Sequence, residues 1–343
     1  MSSSYRYSLM SLALTAVLGA AIVPARSQEI APKVLVITMF ADEAKPWLEA
    51  RKFDIKVTVP GLSSEFPEVA CDAAGLCLMT TGMGYANAAS SVSAVIYSRM
   101  FDLKQSYILI AGIGGVDPSD GTLGSAHWAR FAVDAGLHQE IDPRQIPADW
   151  PSGVVAFGAK RPGEKPLWNT GTEVYKLNEE LTRRALSLTA SVELADSELA
   201  KEYRANYKTA PANAPPTVTI CDTLSGDTWW YGSQLAEDMN RLTLLLTDGA
   251  GNPCTTQMED NATLTALKRG ADAGYLQFDR IALLRTASNF DREPDGKSAA
   301  ETLNIDSGGL GPATINAYRV GSRFADVIAW NWAKWESGMP ADE

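Results

Sequence analysis

Apolar positions along this chain fall into two rhythms. Lys33–Met39 (KVLVITM), Leu76–Thr80, Tyr107–Ala111 and Ile281–Arg285 are short runs with little polar interruption, the character of strands covered on both faces. Between them the repeat turns helical. Ala86–Met100 carries Ala88, Ala89, Val92, Val95 and Ile96, and Glu259–Gly274 carries Ala262, Leu264, Ala266 and Leu267. A closing stripe runs through Ala317, Val320, Phe324, Val327 and Ile328. Strand, helix and strand in succession predict a right-handed parallel crossover, so the class is α/β.

Other segments are read more coarsely. Thr122–Asp134 predicts one long strand or a hairpin. Residues 137–216 shift to prolines and charges and form an elaboration of the same domain, with helices over Leu177–Leu188 and Asp196–Tyr207. Thr217–Cys221 predicts a further strand. Leu242–Leu246 and Thr255–Met258 read as apolar or β-prone pieces around the Asp248-Gly249 turn. A Gly- and acid-rich loop follows the last strand as far as Gly311.

Tyr107–Pro118 (YILIAGIGGVDP) organises the rest. A buried strand there breaks into Gly112, Gly114 and Gly115, where backbone can approach a ligand closely. Ligands in open α/β sheets collect at the carboxyl ends of strands, so this turn reads as one wall of a site; a simple tight turn is the plain alternative. Asp42 and Glu43, after the first strand, read equally as helix-capping carboxylates. Trp229 and Trp230 read as core or as an aromatic shelf for a planar ligand.

The formal charge of −11 over 343 residues, without any basic stripe, argues against a nucleic-acid surface. Arg6, the apolar segment Leu9–Val23 and Ala25-Arg26-Ser27 have the layout of a secretory signal peptide cut after Ser27, with an uncleaved anchor as the alternative. The mature chain, residues 28–343, would then be secreted or periplasmic. No later run approaches the ~20 apolar residues that cross a bilayer. Four cysteines in an exported chain permit disulfides: Cys71 and Cys77 bracket a turn-like DAAG, and Cys221 and Cys254 could form a second bridge. Two histidines and no Cys-x-x-Cys give no metal-ligand pattern.

Four strand ends carry polar motifs in order: ADEA (41–44), AGIGG (111–115), LSGDTWW (224–230) with QMED (257–260), and LRTASN (284–289). Their spacing resembles the nucleoside phosphorylase/nucleosidase superfamily, with the 5′-methylthioadenosine/S-adenosylhomocysteine nucleosidases nearest in pattern. The whole mature chain, including HWARFAVDAG (127–136), is similar to the purine nucleoside permease family. The resemblance implies a single domain with a central mixed, largely parallel twisted sheet flanked by helices, no cofactor, a purine nucleoside ligand and a homo-oligomer, by analogy a dimer.

Site roles follow by the same resemblance. Met258 and Glu259 would grip the ribose, because an ionised carboxylate can accept from both vicinal hydroxyls while a thioether packs under the ring. Trp229, with Trp230 beside it, would stack on the base. Asn289 stands where such nucleosidases carry an aspartate, so it could hydrogen-bond the purine but not protonate it. Asp291 could supply that acid, or be a solvated loop charge. Ser288 and Arg285 would support the base pocket, framed by Gly112, Gly114 and Gly115. Phosphorylases of this fold bring arginine and serine to phosphate, one such pair flanking the AGIGG glycines, whereas those places here hold Ile110 and Ile113; Arg130 and Arg285 remain as possible cations. Glu43 occupies the place of the nucleosidases' water-activating glutamate. The reading is an exported purine nucleosidase, with phosphorolysis and non-catalytic nucleoside binding as rivals.

Overall fold

The computed structural model describes residues 29–341; the segment read as a signal peptide, residues 1–27, lies outside them. The strands are β1 (Val34–Thr38), β2 (Ile55–Thr58), β3 (Glu68–Cys71), β4 (Leu76–Thr80), β5 (Tyr107–Val116), β6 (Ala126–Trp128) and β7 (Phe131–Asp134). They continue with β8 (His138–Glu140), β9 (Val154–Ala156), β10 (Val174–Lys176), β11 (Val218–Ile220), β12 (Asp222–Ser225), β13 (Pro253–Gln257) and β14 (Ile281–Phe290). The helices are α1 (Ala41–Ala50), α2 (Tyr85–Tyr97), α3 (Glu179–Thr189), α4 (Glu198–Arg204) and α5 (Ser233–Leu246). After them come α6 (Asp260–Asp272), α7 (Ala299–Thr302), α8 (Leu310–Trp330) and α9 (Trp332–Trp335).

Twelve strands form one mixed sheet, and β8 pairs with β9 apart from it. Parallel pairing joins β1 to β4 and β5, and β5 to β14. Side chains alternate between two cores as a strand's period of two requires. Leu35, Ile37, Ile108 and Ile110 pack with Val92, Val95 and Ile96 of α2 and Leu264 and Leu267 of α6. Val34, Val36, Leu109 and Ala111 pack on the other face with Trp47 of α1, Leu181 of α3 and Val320, Phe324 and Ile328 of α8. Each such buried aliphatic side chain contributes about 1.5–3 kcal/mol, which makes this doubly covered sheet the rigid frame.

One irregularity in the sheet places the site. Along one edge β14 accompanies β5 from Ile108 to Val116. Along the other, β1 pairs only as far as Ile110, and β13 takes over at Gly115. The sheet therefore opens beside residues 111–114, and backbone groups exposed there need partners from side chains.

Several expectations are corrected. The glycines do not form a turn: Gly112, Gly114 and Gly115 lie inside β5, and none has a positive φ. Their small size is what matters, since a Cβ on Gly114 would lie 2.4 Å from the carbonyl oxygen of Thr256. Thr122–Asp134 is two short strands with different partners, β6 against β11 and β14, β7 against β10 and β12. Leu242–Leu246 is the end of helix α5, whose buried face is Ala236, Met239, Leu242 and Thr243. The last strand extends to Phe290, and the loop before Gly311 contains α7. Both cysteine pairs are bridged, Cys71 to Cys77 across β3 and β4, and Cys221 to Cys254 beside β12 and β13.

Candidate active site

Glu43 sits in the first turn of α1, where β1 turns into the helix, and is 1% exposed. Its Oε2 accepts from the amide of Met39 at 2.7 Å, a capping contact across the turn. Its Oε1 reaches the opening in the sheet and accepts from the Ile113 amide at 2.8 Å. Capping and site-building are thus both true of this one carboxylate. Burial pushes its pKa up to about 7, against the pull of Arg285 and of the two amides, with Glu259 adding to the rise.

Arg285 lies on β14 directly opposite Gly112 of β5. Its Nη1 donates to the Ile113 carbonyl at 2.9 Å, so the backbone of Ile113 is satisfied by a carboxylate on its N–H and a guanidinium on its C=O. The Nε and Nη2 of Arg285 both donate to Asp260, the first residue of α6, and Nη2 lies 3.5 Å from Glu259 Oε2. A Cβ added at Gly112 would sit 2.6 Å from each of Arg285 Nη1, Glu43 Oε1 and Met39 Cε. Glycine is required there by crowding around the charged cluster rather than by backbone conformation.

Glu259 occupies the N-cap position of α6 and is 4% exposed. Its own amide and that of Asp260 are capped by Gln257 Oε1, at 2.7 and 2.9 Å. The Glu259 carboxylate is therefore free to turn outward, where Oε1 accepts from the Gly84 amide at 3.1 Å. Burial raises its pKa, Arg285 opposing. The next amide along, that of Tyr85, donates to Asp227 at 2.7 Å, so two successive N–H groups tie Glu259 to the loop that carries Trp229. Met258, beside Glu259, is partly buried.

Glu43, Glu259 and Arg285 form one cluster with Gly112 at its floor. Ser288 and Asn289 lie further along β14, Ser288 at an irregularity in the β5 register. The Ser288 hydroxyl is within hydrogen-bond range of the Gly114 carbonyl (3.1 Å) and Asn289 Oδ1 (3.0 Å), while Asn289 Nδ2 donates to the Phe290 carbonyl. Both side chains are thereby spent on their own surroundings.

Trp229 is 52% exposed and stacks on Tyr231, with ring planes 1° apart. Its connection to Glu259 runs through the Asp227–Tyr85 contact. Trp230 belongs to the core, packed with Leu224, Met239 and Leu242, which removes it from the base pocket. Arg285 does not support a base pocket either; it underlies the carboxylates, because its place opposite Gly112 directs it into the sheet opening. Asp291 is no solvated charge. It is 3% exposed, paired with Arg292, and raised to about 7 by burial.

Both candidate cations are already paired with carboxylates. Arg130 is held by Asp222 at 2.8 Å and Arg285 by Asp260. Asp260 is the member of the cluster that the sequence reading missed. The signal for it was present, since an arginine in the middle of the apolar run LLRTAS needs a buried counter-charge and QMED offers a second acid. A cavity of about 610 Å³ lies alongside, lined by Tyr85, Asp134, Asp227, Thr228 and Asn261 among others. It includes none of Glu43, Met258 or Glu259, so it flanks the carboxylate cluster rather than opening onto it.

The architecture is that of the nucleosidase fold. The fold matches 5′-methylthioadenosine/S-adenosylhomocysteine nucleosidase from Neisseria meningitidis at a TM-score of 0.51 and 14% identity, covering 87% of this chain and 99% of that one. Futalosine hydrolase of Helicobacter pylori matches at 0.51 and 14%, over 86% and 98% of the two chains. The chain belongs to the purine nucleoside permease (NUP) family, whose model matches residues 31–340. It is 37% identical to a purine nucleoside permease of Candida albicans over 90% of this chain and 77% of the relative. It is also 37% identical to a probable purine nucleoside permease of Schizosaccharomyces pombe, over 89% and 91%.

Proposed function

We propose that this protein is an exported purine nucleoside N-glycosidase: nucleoside and water give free base and ribose. The observation that carries the reading is the pairing of two buried carboxylates, Glu43 and Glu259, over an arginine already committed to Asp260. Glu43, with a pKa near neutrality, is matched to taking a proton from water as an oxocarbenium-like sugar develops. Glu259 would accept from the ribose hydroxyls with Met258 under the ring, and Trp229 would cover the base. Asn289 Nδ2 would donate to the purine in place of the Phe290 carbonyl.

Phosphate is disfavoured as nucleophile. It would enter between two carboxylates with the nearby guanidinium neutralised, and an uncompensated buried anion is costly. Export is supported by the N-terminal layout and by two disulfides, which persist in oxidising compartments. The names of the relatives favour a second reading, a nucleoside-binding protein that serves uptake. Among the described residues no helix is long and apolar enough to cross a membrane.

Product analysis separates these readings. Inosine and adenosine are incubated with the protein in phosphate-free buffer, and reducing sugar is measured. Free ribose is expected. Release only after phosphate is added would establish phosphorolysis, and tight binding of inosine with no base released over hours would establish the uptake role.

A further inference from the structure

The guanidinium of Arg285 is 1% exposed, and its donors are almost entirely assigned. Nε and one Nη2 N–H go to Asp260, Nη2 also faces Glu259, and Nη1 donates to the Ile113 carbonyl. Asp260 itself is fully buried, and both of its carboxylate oxygens accept from this one arginine. A fork-to-fork pair of this kind occupies the Nε/Nη2 edge of the guanidinium, which would otherwise clasp a tetrahedral oxyanion. Two further arginines are likewise paired with carboxylates, Arg130 with Asp222 and Arg292 with Asp117, Asp291 and Glu237.

We infer that Asp260 is a specificity-determining residue: it occupies the fork of Arg285 and so closes the site to inorganic phosphate while leaving it open to water. The inference rests on the nucleosidase reading for its consequence, but its physical content is anion exclusion, which is measurable without turnover. It separates two explanations of why an anion would be refused. In one, the total negative charge of Glu43, Glu259 and Asp260 repels it. In the other, the single pair Asp260–Arg285 removes the one docking surface. Only in the second does the identity of the carboxylate that is removed matter.

The test titrates inorganic phosphate into wild-type protein, Asp260→Asn and Glu43→Gln at constant ionic strength, following melting temperature and heat of binding. The wild type and Glu43→Gln are expected to be indifferent to phosphate. Asp260→Asn is expected to bind it at least tenfold more tightly than either, and to respond to sulfate but not to chloride. A folded Asp260→Asn protein as indifferent as the wild type would overturn the inference. So would Glu43→Gln gaining phosphate binding, a result that stands even if Asp260→Asn fails to fold. Ribose release by the wild type is scored separately, so an inactive wild type with a phosphate-binding Asp260→Asn variant would remove the nucleosidase reading and keep this one.

Discussion

Glu43 and Ile113 are 70 positions apart in the chain and joined by a 2.8 Å hydrogen bond from the Ile113 amide to the Glu43 carboxylate. The bond exists because β1 stops pairing with β5 at Ile110 and β13 begins only at Gly115. A side chain from the helix after β1 fills the place of a strand. The carboxylate is thereby fixed in position by the sheet itself, with desolvation as the consequence, and desolvation is what moves its titration toward neutrality.

Replacing Glu43 with Gln is expected to lower kcat on inosine by about 10²–10⁴-fold with little change in KM, since the proton transfer is expressed in the transition state. Steady-state kinetics check this, and unchanged turnover would remove Glu43 from the mechanism. The wild-type profile of kcat/KM should fall as pH drops through about 7, because the base must be ionised. Stability should move the other way. A carboxyl whose folded pKa lies above its unfolded value of ~4.3 contributes stability that is complete below that value and lost as pH rises through about 7. The difference in melting temperature between the wild type and Glu43→Gln, followed from pH 5 to pH 8 (on the order of the window between those two pKa values), should shrink with rising pH.

Gly112→Ala places a methyl group 2.6 Å from Arg285, Glu43 and Met39 at once. All three are packed in the sheet opening, so the cost is expected to be about 1–3 kcal/mol of overpacking. The displaced carboxylate should also lower kcat. Urea unfolding and kinetics on the same preparation read the two effects, and a fully active, fully stable Gly112→Ala protein would contradict the geometry.

Arg285→Met leaves Asp260 and Glu259 buried beside an apolar side chain, with an expected loss of about 3–5 kcal/mol. Adding Asp260→Leu should recover part of it, because the unpaired buried charge goes with the aspartate. Equal stability of the single and double variants would show that Asp260 and Arg285 are not energetically coupled.

Trp229→Ala separates packing from binding. The ring is half exposed and touches Tyr231, so the melting temperature should stay within about a degree of the wild type, as surface substitutions change stability little. If the ring covers the base, the loss of ~1–3 kcal/mol of stacking raises KM by roughly 5- to 160-fold. A KM unchanged by the substitution would take Trp229 out of the site.

The strands of the central sheet were legible because burial on both faces leaves runs such as KVLVITM unbroken. Glu43 and Met258-Glu259 were legible as motif residues at strand-to-helix turns. Two things were not. The extent of β5 was hidden because glycines after an apolar run look like a turn, whereas Gly112 and Gly114 are small to admit charged side chains and a neighbouring carbonyl. Helix α5 was hidden because its last turn, Leu242–Leu246, is apolar enough to pass for a β-prone piece. The Asp260–Arg285 pair was legible in part: the arginine inside LLRTAS calls for a buried acid, and the packing of α6 on the sheet decides which one.

The consecutive amides of Gly84 and Tyr85 hold Glu259 with one hand and Asp227 with the other. Those two N–H groups lie on successive peptide planes hinged at the Cα of Gly84, whose φ is +88°, a conformation that glycine adopts freely. The turn into α2 is therefore a joint with two anchored arms, and a displacement there would reach both the Glu259 carboxylate and the loop that carries Trp229.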